Sequence, residues 1–391
     1  MTPRGATELE LEKGGPTWKL WMRTGLAPAE PAPLGRRALL LAAICWVPLL
    51  VFSLVDGLAT GDSVPVPFLR DFAAYARFLG AVILLTLADV AVPQRLRTAL
   101  RQFYTARLLT RTSEAKFADL VATARRRIDS TIVELVLVAL AYLGSWSAIS
   151  RQLENGIPTW HALAGAEGET LTLAGWWSLF VSVPVFQFLF LRWIFRGVIW
   201  ATFLAQISRL ELRLVATHPD RAGGLGFLSI GQAGFAILVL AASMSLSAVL
   251  ADEVVYSGVP LESLYSVMAG FAVVATLVVL APLLAFAPRL ARLKREALLA
   301  YGALSSRHDS AFAEKWVGES AQAESLVGDA DASSLADLVT GYERAKALRP
   351  IPIDVMTIAP LVVAAALPMI PLLTTKLPLK DILKGLVRVV M

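Results

Sequence analysis

The sequence predicts an all-α fold: a polytopic transmembrane helix bundle of about seven spans, with a cytoplasmic amino terminus and a small helical cytoplasmic appendage. Three observations predict it. Of the 391 residues, 56% are hydrophobic and 17% are charged, whereas soluble globular chains carry ~25% charged residues. A water-soluble chain of this size has no interior large enough for that much apolar surface. The apolar residues also fall into uncharged stretches near the ~20 residues needed to cross a ~30 Å hydrocarbon core. Finally, Lys and Arg alternate in density from one connecting loop to the next. Composition alone excludes an ordinary cytosolic enzyme, a disordered chain and a collagen-like chain.

Residues 1–37 form a cytoplasmic or interfacial lead. Trp18 and Trp21 stand three apart beside Lys19 and Arg23, a pairing suited to the lipid headgroup layer. Pro28, Pro31 and Pro33 make an extended link into the first span. Residues 38–287 then supply six spans. These are Ala38–Val55, Phe78–Val92, Thr131–Ile149, Leu171–Leu191, Ile230–Ala251 and Leu264–Ala287. The second is interrupted by Asp89 and either tilts or begins earlier, near Asp71. The first is no cleavable signal peptide, because it starts late and lacks a small-x-small site at its end. Pro184 marks the kink-prone point of the fourth span, whose helical pattern runs on to about residue 215.

Residues 288–354 are the one sizeable piece outside the membrane. They predict a basic helix over Arg289–Ser305, then an Ala/Ser/Gly/Asp-rich middle, then a helix over Leu335–Leu348 capped by Ser334. Residues 355–391 hold the last span, Val355–Thr374, or a re-entrant hairpin bent at Pro368 and Pro371. An amphipathic tail follows, in which Lys380, Lys384 and Arg388 repeat every four residues opposite an apolar face.

Charge gives the orientation. Residues 1–37, 93–130, 192–221 and 288–356 together hold 29 of the 36 Lys and Arg residues, while the alternate loops hold Arg70, Arg77 and Arg151. The amino terminus is therefore expected in the cytoplasm. The net charge of +5 then reflects membrane orientation and contact of basic loops with anionic lipid headgroups, with no role for nucleic acid. In the 93–130 loop, Leu96, Leu100 and Phe103 share one helical face, with arginines around the remainder. The single cysteine, Cys45, rules out an intrachain disulfide. His161, His218 and His308 fall in three separate loops, so no metal site is expected and no motif requires a cofactor.

The densest motif is Thr217-His218-Pro219-Asp220-Arg221-Ala222-Gly223-Gly224-Leu225-Gly226-Phe227. Pro219 stops a helix, and Gly223 and Gly224 permit positive φ and close backbone approach. Free N–H groups there, with Arg221 beside them, can hold an anion. His218, Asp220, Arg221, Gly223 and Gly224 are therefore a candidate ligand or anion site. The competing reading is structural: the same side chains bond one another and the helix ends. Together with Ser334–Leu338 and the approach Leu348-Arg349-Pro350-Ile351-Pro352 to the last span, this segment resembles a family of uncharacterised bacterial polytopic inner-membrane proteins. The resemblance covers residues from about 200 onward. It implies a multi-pass fold in the inner membrane and carries no activity.

A second constellation follows from depth. Asp89, Glu134, Arg192, Arg196 and Asp354 all fall near the cytoplasmic ends of spans, with Arg192 and Arg196 on one helical face. They form a candidate charge cluster: either helix-end anchoring with interhelical salt bridges, or the inner mouth of a solute pathway. The function expected is a channel or transporter for an ion or small anionic solute, in the cell inner membrane, with membrane lipids as partners and a homo-oligomer as one form. The alternative is a non-catalytic scaffold or sensor that docks a cytosolic partner through residues 288–354. A lipid-acting enzyme using His218 and Asp220 is the third reading.

Overall fold

The computed structural model describes residues 31–154, 159–165, 168–316 and 330–374, together with Pro16 and Arg23. The expectations for Trp18 and Trp21 and for the tail beyond Thr374 lie outside the described residues. Within them the chain is a multi-pass helical bundle, and seven helices are long and apolar enough to span a membrane.

Helix α1 (Pro31–Val55) begins about two turns before the uncharged stretch does. Its buried stripe is Leu34, Arg37, Leu41, Cys45 and Leu49, the three-to-four spacing of one helical face. Helix α2 (Phe72–Thr105) starts earlier and ends later than its apolar stretch. Asp71 caps it by accepting the Ala74 N–H at 2.8 Å, and Tyr75–Ala81 winds as a π-helix. Leu96, Leu100 and Phe103 lie on its continuation and are fully buried on one face. Helix α3 (Arg111–Ile128) opens with a Thr110–Ser113 capping box and ends on Arg125, Arg126 and Arg127, where cations suit the helix dipole. Helix α4 (Thr131–Glu154) follows.

A short antiparallel hairpin, β1 (Ala162–Gly165) with β2 (Gly168–Leu171), stands between α4 and the next span, where the all-helical reading has no strand. It seats Trp160, whose indole N–H donates to Asp71 at 2.8 Å and whose ring meets Phe68 edge-on. His161 stacks on Trp160. Burial drives its imidazole down to about 4, Asp71 working against that shift and Arg77 with it.

Helix α5 (Leu173–Ile207) stops short of the continuous helix to residue 215 that its sequence suggests. The stop comes from elsewhere in the chain. The Arg289 guanidinium collects the carbonyls of Ser208, Leu210 and Leu212, and Arg213 N–H donates to the Leu108 carbonyl at 2.7 Å. Around Pro184 the helix loosens into a π segment, Ser178–Ser182. Pro184 has no N–H for the Phe180 carbonyl four residues back. The Tyr142 hydroxyl of α4 donates to that carbonyl at 3.2 Å, and Ser145 donates to the Leu179 carbonyl at 2.7 Å.

Helix α6 (Phe227–Tyr256) is interrupted at Gly234–Phe235. Helix α7 (Leu261–Trp316) tightens to 3-10 geometry over Ala281–Phe286 and then runs far beyond the membrane. At 1.5 Å per residue its last 30 residues, Ala287–Trp316, reach ~45 Å. His308 thus sits in a helix, not in a loop. Helix α8 (Ala330–Lys346) packs back along α7. It starts before Ser334, so that residue caps nothing; its hydroxyl instead meets His308 Nε2 at 2.9 Å.

Helix α9 begins at Val355, capped by Asp354, and runs helically to Thr374 with a 3-10 turn at Leu367–Met369. It crosses the bundle and does not fold back. Ser243 and Ser247 of α6 donate in order to the carbonyls of Ala365 (2.5 Å) and Pro368 (2.6 Å). Met369 and Leu372 then pack beside Leu261 and Leu264 at the far end.

Helices α2 and α6 are central. Of their apolar windows 44% and 50% are buried, against 22% for α4 and α7. The outer faces of α4 and α7 present Ile132, Leu143, Val274 and Val278, as a lipid-facing surface requires. Because hydroxyl-to-carbonyl bonds between membrane helices contribute about 0.6 kcal/mol on average and up to about 1.7, a Ser243→Ala/Ser247→Ala variant should lose about 1–3 kcal/mol of unfolding free energy in detergent-driven unfolding. Ser245→Ala, whose hydroxyl bonds the Ala241 carbonyl of its own helix, should be close to neutral in the same assay.

Candidate functional site

The end of the bundle where the basic loops gather holds both sequence-defined constellations, and they are built differently. In the HPDRAGG turn the backbone takes positive φ at Arg221 (54°), Gly223 (68°) and Gly224 (96°). This curls successive N–H groups toward one point. That point is filled by Asp220. Its Oδ1 accepts from Ala222 N–H (2.8 Å) and Gly224 N–H (3.1 Å), and its Oδ2 accepts from Gly226 N–H (2.8 Å). His218 Nδ1 lies 2.8 Å from Oδ1. Burial pushes the Asp220 carboxyl upward, but these three N–H groups and the imidazole outweigh it and hold it below the usual carboxylate range.

The turn is also a junction. The Arg221 carbonyl accepts the Arg349 N–H at 2.8 Å, so the two motifs that mark the sequence touch in space. Gly223 lies against Leu290 and Leu293 of α7, and Lys294 donates to the Leu348 carbonyl at 2.9 Å. The turn thus clamps the root of α7 and the end of α8 onto the bundle.

The charge cluster centres on Asp89. Because α2 runs on to Thr105, Asp89 lies mid-helix and not one turn from the helix end. Three guanidiniums converge on its carboxylate. Arg192 donates to both oxygens (2.8 and 2.6 Å), Arg196 to Oδ1 (2.7 Å), and Arg37 to Oδ2. Arg192 and Arg196 sit one turn apart on α5, as their spacing predicts. Arg196 stacks on the Trp193 ring, 5.0 Å from its centroid, and the Trp193 indole donates to the Leu85 carbonyl of α2 at 3.0 Å. Three helices, α1, α2 and α5, are thereby tied at one point.

Arg37 is the member that the sequence reading omits. An uncharged stretch begins after the last charge, so Arg37 falls to the amino-terminal lead. The signal was present in the helical stripe, since Leu41, Cys45 and Leu49 carried back one turn lands on Arg37. Asp354 is not in the cluster. It caps α9 at the Val355 N–H (2.7 Å) and lies 3.5 Å from Arg349. Glu134 stays half-buried in the first turn of α4 and is not among the groups that bond Asp89. His218 belongs to the other constellation.

Among the described residues, Arg192 and Arg196 of α5 share the Asp89 carboxylate, to which Arg37 is also bonded. An uncompensated charge at mid-bilayer costs about 2.5–3.5 kcal/mol on insertion scales. The Asp89, Arg37 and Arg196 side chains are 5%, 3% and 4% exposed, and Arg192 is 12% exposed. Arg192 is thus the guanidinium nearest the surface, and its Nε is buried with no acceptor among the described residues. Arg192 and Arg37 line one end of a crevice of about 400 Å³ between α1, α4 and α5.

Fold and site together define a multi-pass membrane protein whose bundle encloses an arginine–aspartate cluster. In comparisons with protein-family models, curated proteins and solved structures, nothing matches this chain.

Removing one partner of a buried charge pair typically costs about 3–5 kcal/mol. Asp89→Asn should therefore lower the thermal midpoint in detergent sharply, and adding Arg196→Gln to it should recover part of the loss. If Arg196→Gln alone is as damaging as Asp89→Asn, Asp89 is not the shared counter-ion of the cluster.

Proposed function

We propose that this protein is a channel or transporter for an anionic solute, with the basic end of the bundle in the cytoplasm of a bacterial cell and the arginine cluster as its anion-attracting mouth. The observation that carries this reading is that two guanidiniums of one helix, Arg192 and Arg196, share the single carboxylate of Asp89 among the described residues, which supports a positive field at the basic end of the bundle. Interrupted helices add support. Spans α2 and α5 carry π segments, α6 breaks at Gly234, and α7 and α9 tighten to 3-10. Such departures recur at functional sites and in helices that move. In the HPDRAGG turn, Asp220 already fills the backbone nest, which favours a structural role for His218, Arg221, Gly223 and Gly224.

The test is flux in proteoliposomes, with chloride and inorganic phosphate as anions and potassium and sodium as cations. At least one anion should move faster than either cation. Arg192→Gln removes a charged hydrogen bond worth about 1.5–3 kcal/mol and should slow that anion by about tenfold or more. Anion movement no faster than in protein-free vesicles overturns the reading.

One observation favours a second reading, a scaffold that docks a cytosolic partner. Beyond the membrane, the α7–α8 pair leaves Leu299 76% exposed, with Val339 and Leu304 also open, and large apolar side chains clustered in water mark contact surfaces. On that reading Leu299→Glu should leave the thermal midpoint unchanged and abolish cross-linking of one specific cytosolic protein in cells. Unchanged cross-links in that variant and in one lacking residues 300–340 would remove it.

A further inference from the structure

The crevice beside the cluster has a shape and polarity that narrow the anion. It runs between α4 and α5 over α1, with Val138, Tyr142, Phe180 and Leu189 on its walls and Arg37 and Arg192 at one end. From Phe180 to Arg192 along α5 is twelve residues, ~18 Å at 1.5 Å each. That is close to the ~15 Å depth of one leaflet of a ~30 Å hydrocarbon core. Tyr142 and Phe180 are 46% and 52% exposed, and α4 packs chiefly on α5 alone. The crevice therefore opens sideways, toward the lipid. Apart from the Tyr142 hydroxyl, which is already engaged with the Phe180 carbonyl, its polar character is concentrated at the arginine end.

A small hydrophilic anion would gain from the arginines and nothing from the remaining length of the crevice. A zwitterionic lipid would gain from the length and less from the guanidiniums, which repel its cationic group. An amphiphile with an acyl chain and an anionic head gains from both. We propose that this crevice binds one anionic membrane lipid, admitted laterally from the leaflet at the basic end, with an acyl chain along α4 and α5 and its phosphate on Arg192. The buried Arg192 Nε, which has no acceptor among the described residues, is the donor this phosphate would satisfy. The inference rests on the reading of the cluster as an anion site and names one ligand of that site.

The test uses the full chain in phosphatidylcholine nanodiscs doped with a diazirine-tailed lipid, either phosphatidylglycerol or phosphatidylcholine, with cross-linked peptides mapped by mass spectrometry. The phosphatidylglycerol probe should label the segments around Val138–Tyr142 and Phe180–Leu189 several-fold more than the phosphatidylcholine probe does. Inorganic phosphate in the buffer should leave that labelling unchanged. Val138→Trp, which fills the crevice and keeps every arginine, should abolish it. Arg192→Gln should reduce it to the phosphatidylcholine level, and Arg192→Lys, which retains the charge should Gln impair folding, should keep the preference.

Equal labelling by the two probes overturns the proposal. So does displacement by phosphate, which identifies a free-anion site, or cross-linking of these segments only to residues 1–30 or to a second copy of the chain. Anion flux that persists in Val138→Trp while lipid labelling is lost refutes the lipid as the transported anion and leaves the transport reading intact. Loss of flux in the unaltered protein removes the transport reading while leaving the lipid labelling to stand or fall by itself.

Discussion

The carboxylate of Asp89 is the one anion on which three helices converge. In water an ion pair of this kind contributes little, because solvent screens it and the side chains lose rotamer freedom. Inside a bundle surrounded by hydrocarbon, solvation offers the guanidiniums almost nothing, and the carboxylate is the group they share to offset their burial. That fixes the relative position of α1, α2 and α5. Arg37 reaches from α1, while Arg192 and Arg196 reach from successive turns of α5. Trp193, between the two α5 arginines, binds the α2 backbone at Leu85. The apolar stripes then pack around that fixed point, Leu41 and Cys45 of α1 on one side and Leu85, Ala88 and Val92 of α2 on the other.

A second constraint shapes everything else: no backbone carbonyl can be left bare in hydrocarbon. The irregular turns of α5, α7 and α9 are accordingly met by polar side chains from other helices. The Phe180 and Leu179 carbonyls near Pro184 take hydroxyls from Tyr142 and Ser145. Those of Ala365 and Pro368 take hydroxyls from Ser243 and Ser247. Where α7 tightens, the Val279 carbonyl takes the amide of Gln232, whose oxygen in turn accepts from Trp200 at 2.7 Å. Tyr142, Ser145, Ser243, Ser247 and Gln232 are therefore placed by the needs of the backbone, and a pathway need not be invoked to explain them. That accounting does not cover the arginines at Asp89.

The spans were legible because their signal is composition over a length, which survives any tertiary arrangement. The shared face of Arg192 and Arg196 was legible because it depends on helical period alone, and the depth of Asp89 brought it near them. What failed to show depends on distant partners. The end of α5 is set by Arg289, 81 residues beyond Ser208, and nothing near Ile207 announces it. Arg37 was hidden by a reading that starts each span after its last charge, although helices routinely extend past the hydrocarbon and bury charges there when a counter-ion waits. Ser334 had the right chemistry for a cap and the right spacing to Asp337. Helix α8 starts earlier and gives the hydroxyl to His308 instead, a choice that packing against α7 decides.

The stoichiometry at Asp89 bears directly on purpose. Arg192 alone engages both carboxylate oxygens through one nitrogen, Nη2, at 2.8 and 2.6 Å, so a single ion pair would already neutralise the acid and join α2 to α5. Arg37 and Arg196 add connections to the same two oxygens, and each also adds a positive charge that must be kept away from water. The Trp193 ring relieves part of that cost for Arg196. A bundle selected for rigidity alone gains more from replacing such surplus ions with apolar side chains of similar volume, since buried ion pairs are often no more stabilising than good packing. On the reading proposed above, the cluster is a field held ready for an anion and graded to suit: Arg196 closed within, Arg192 at the edge with an N–H that meets no acceptor among the described residues, and an apolar crevice leading from it to the surface.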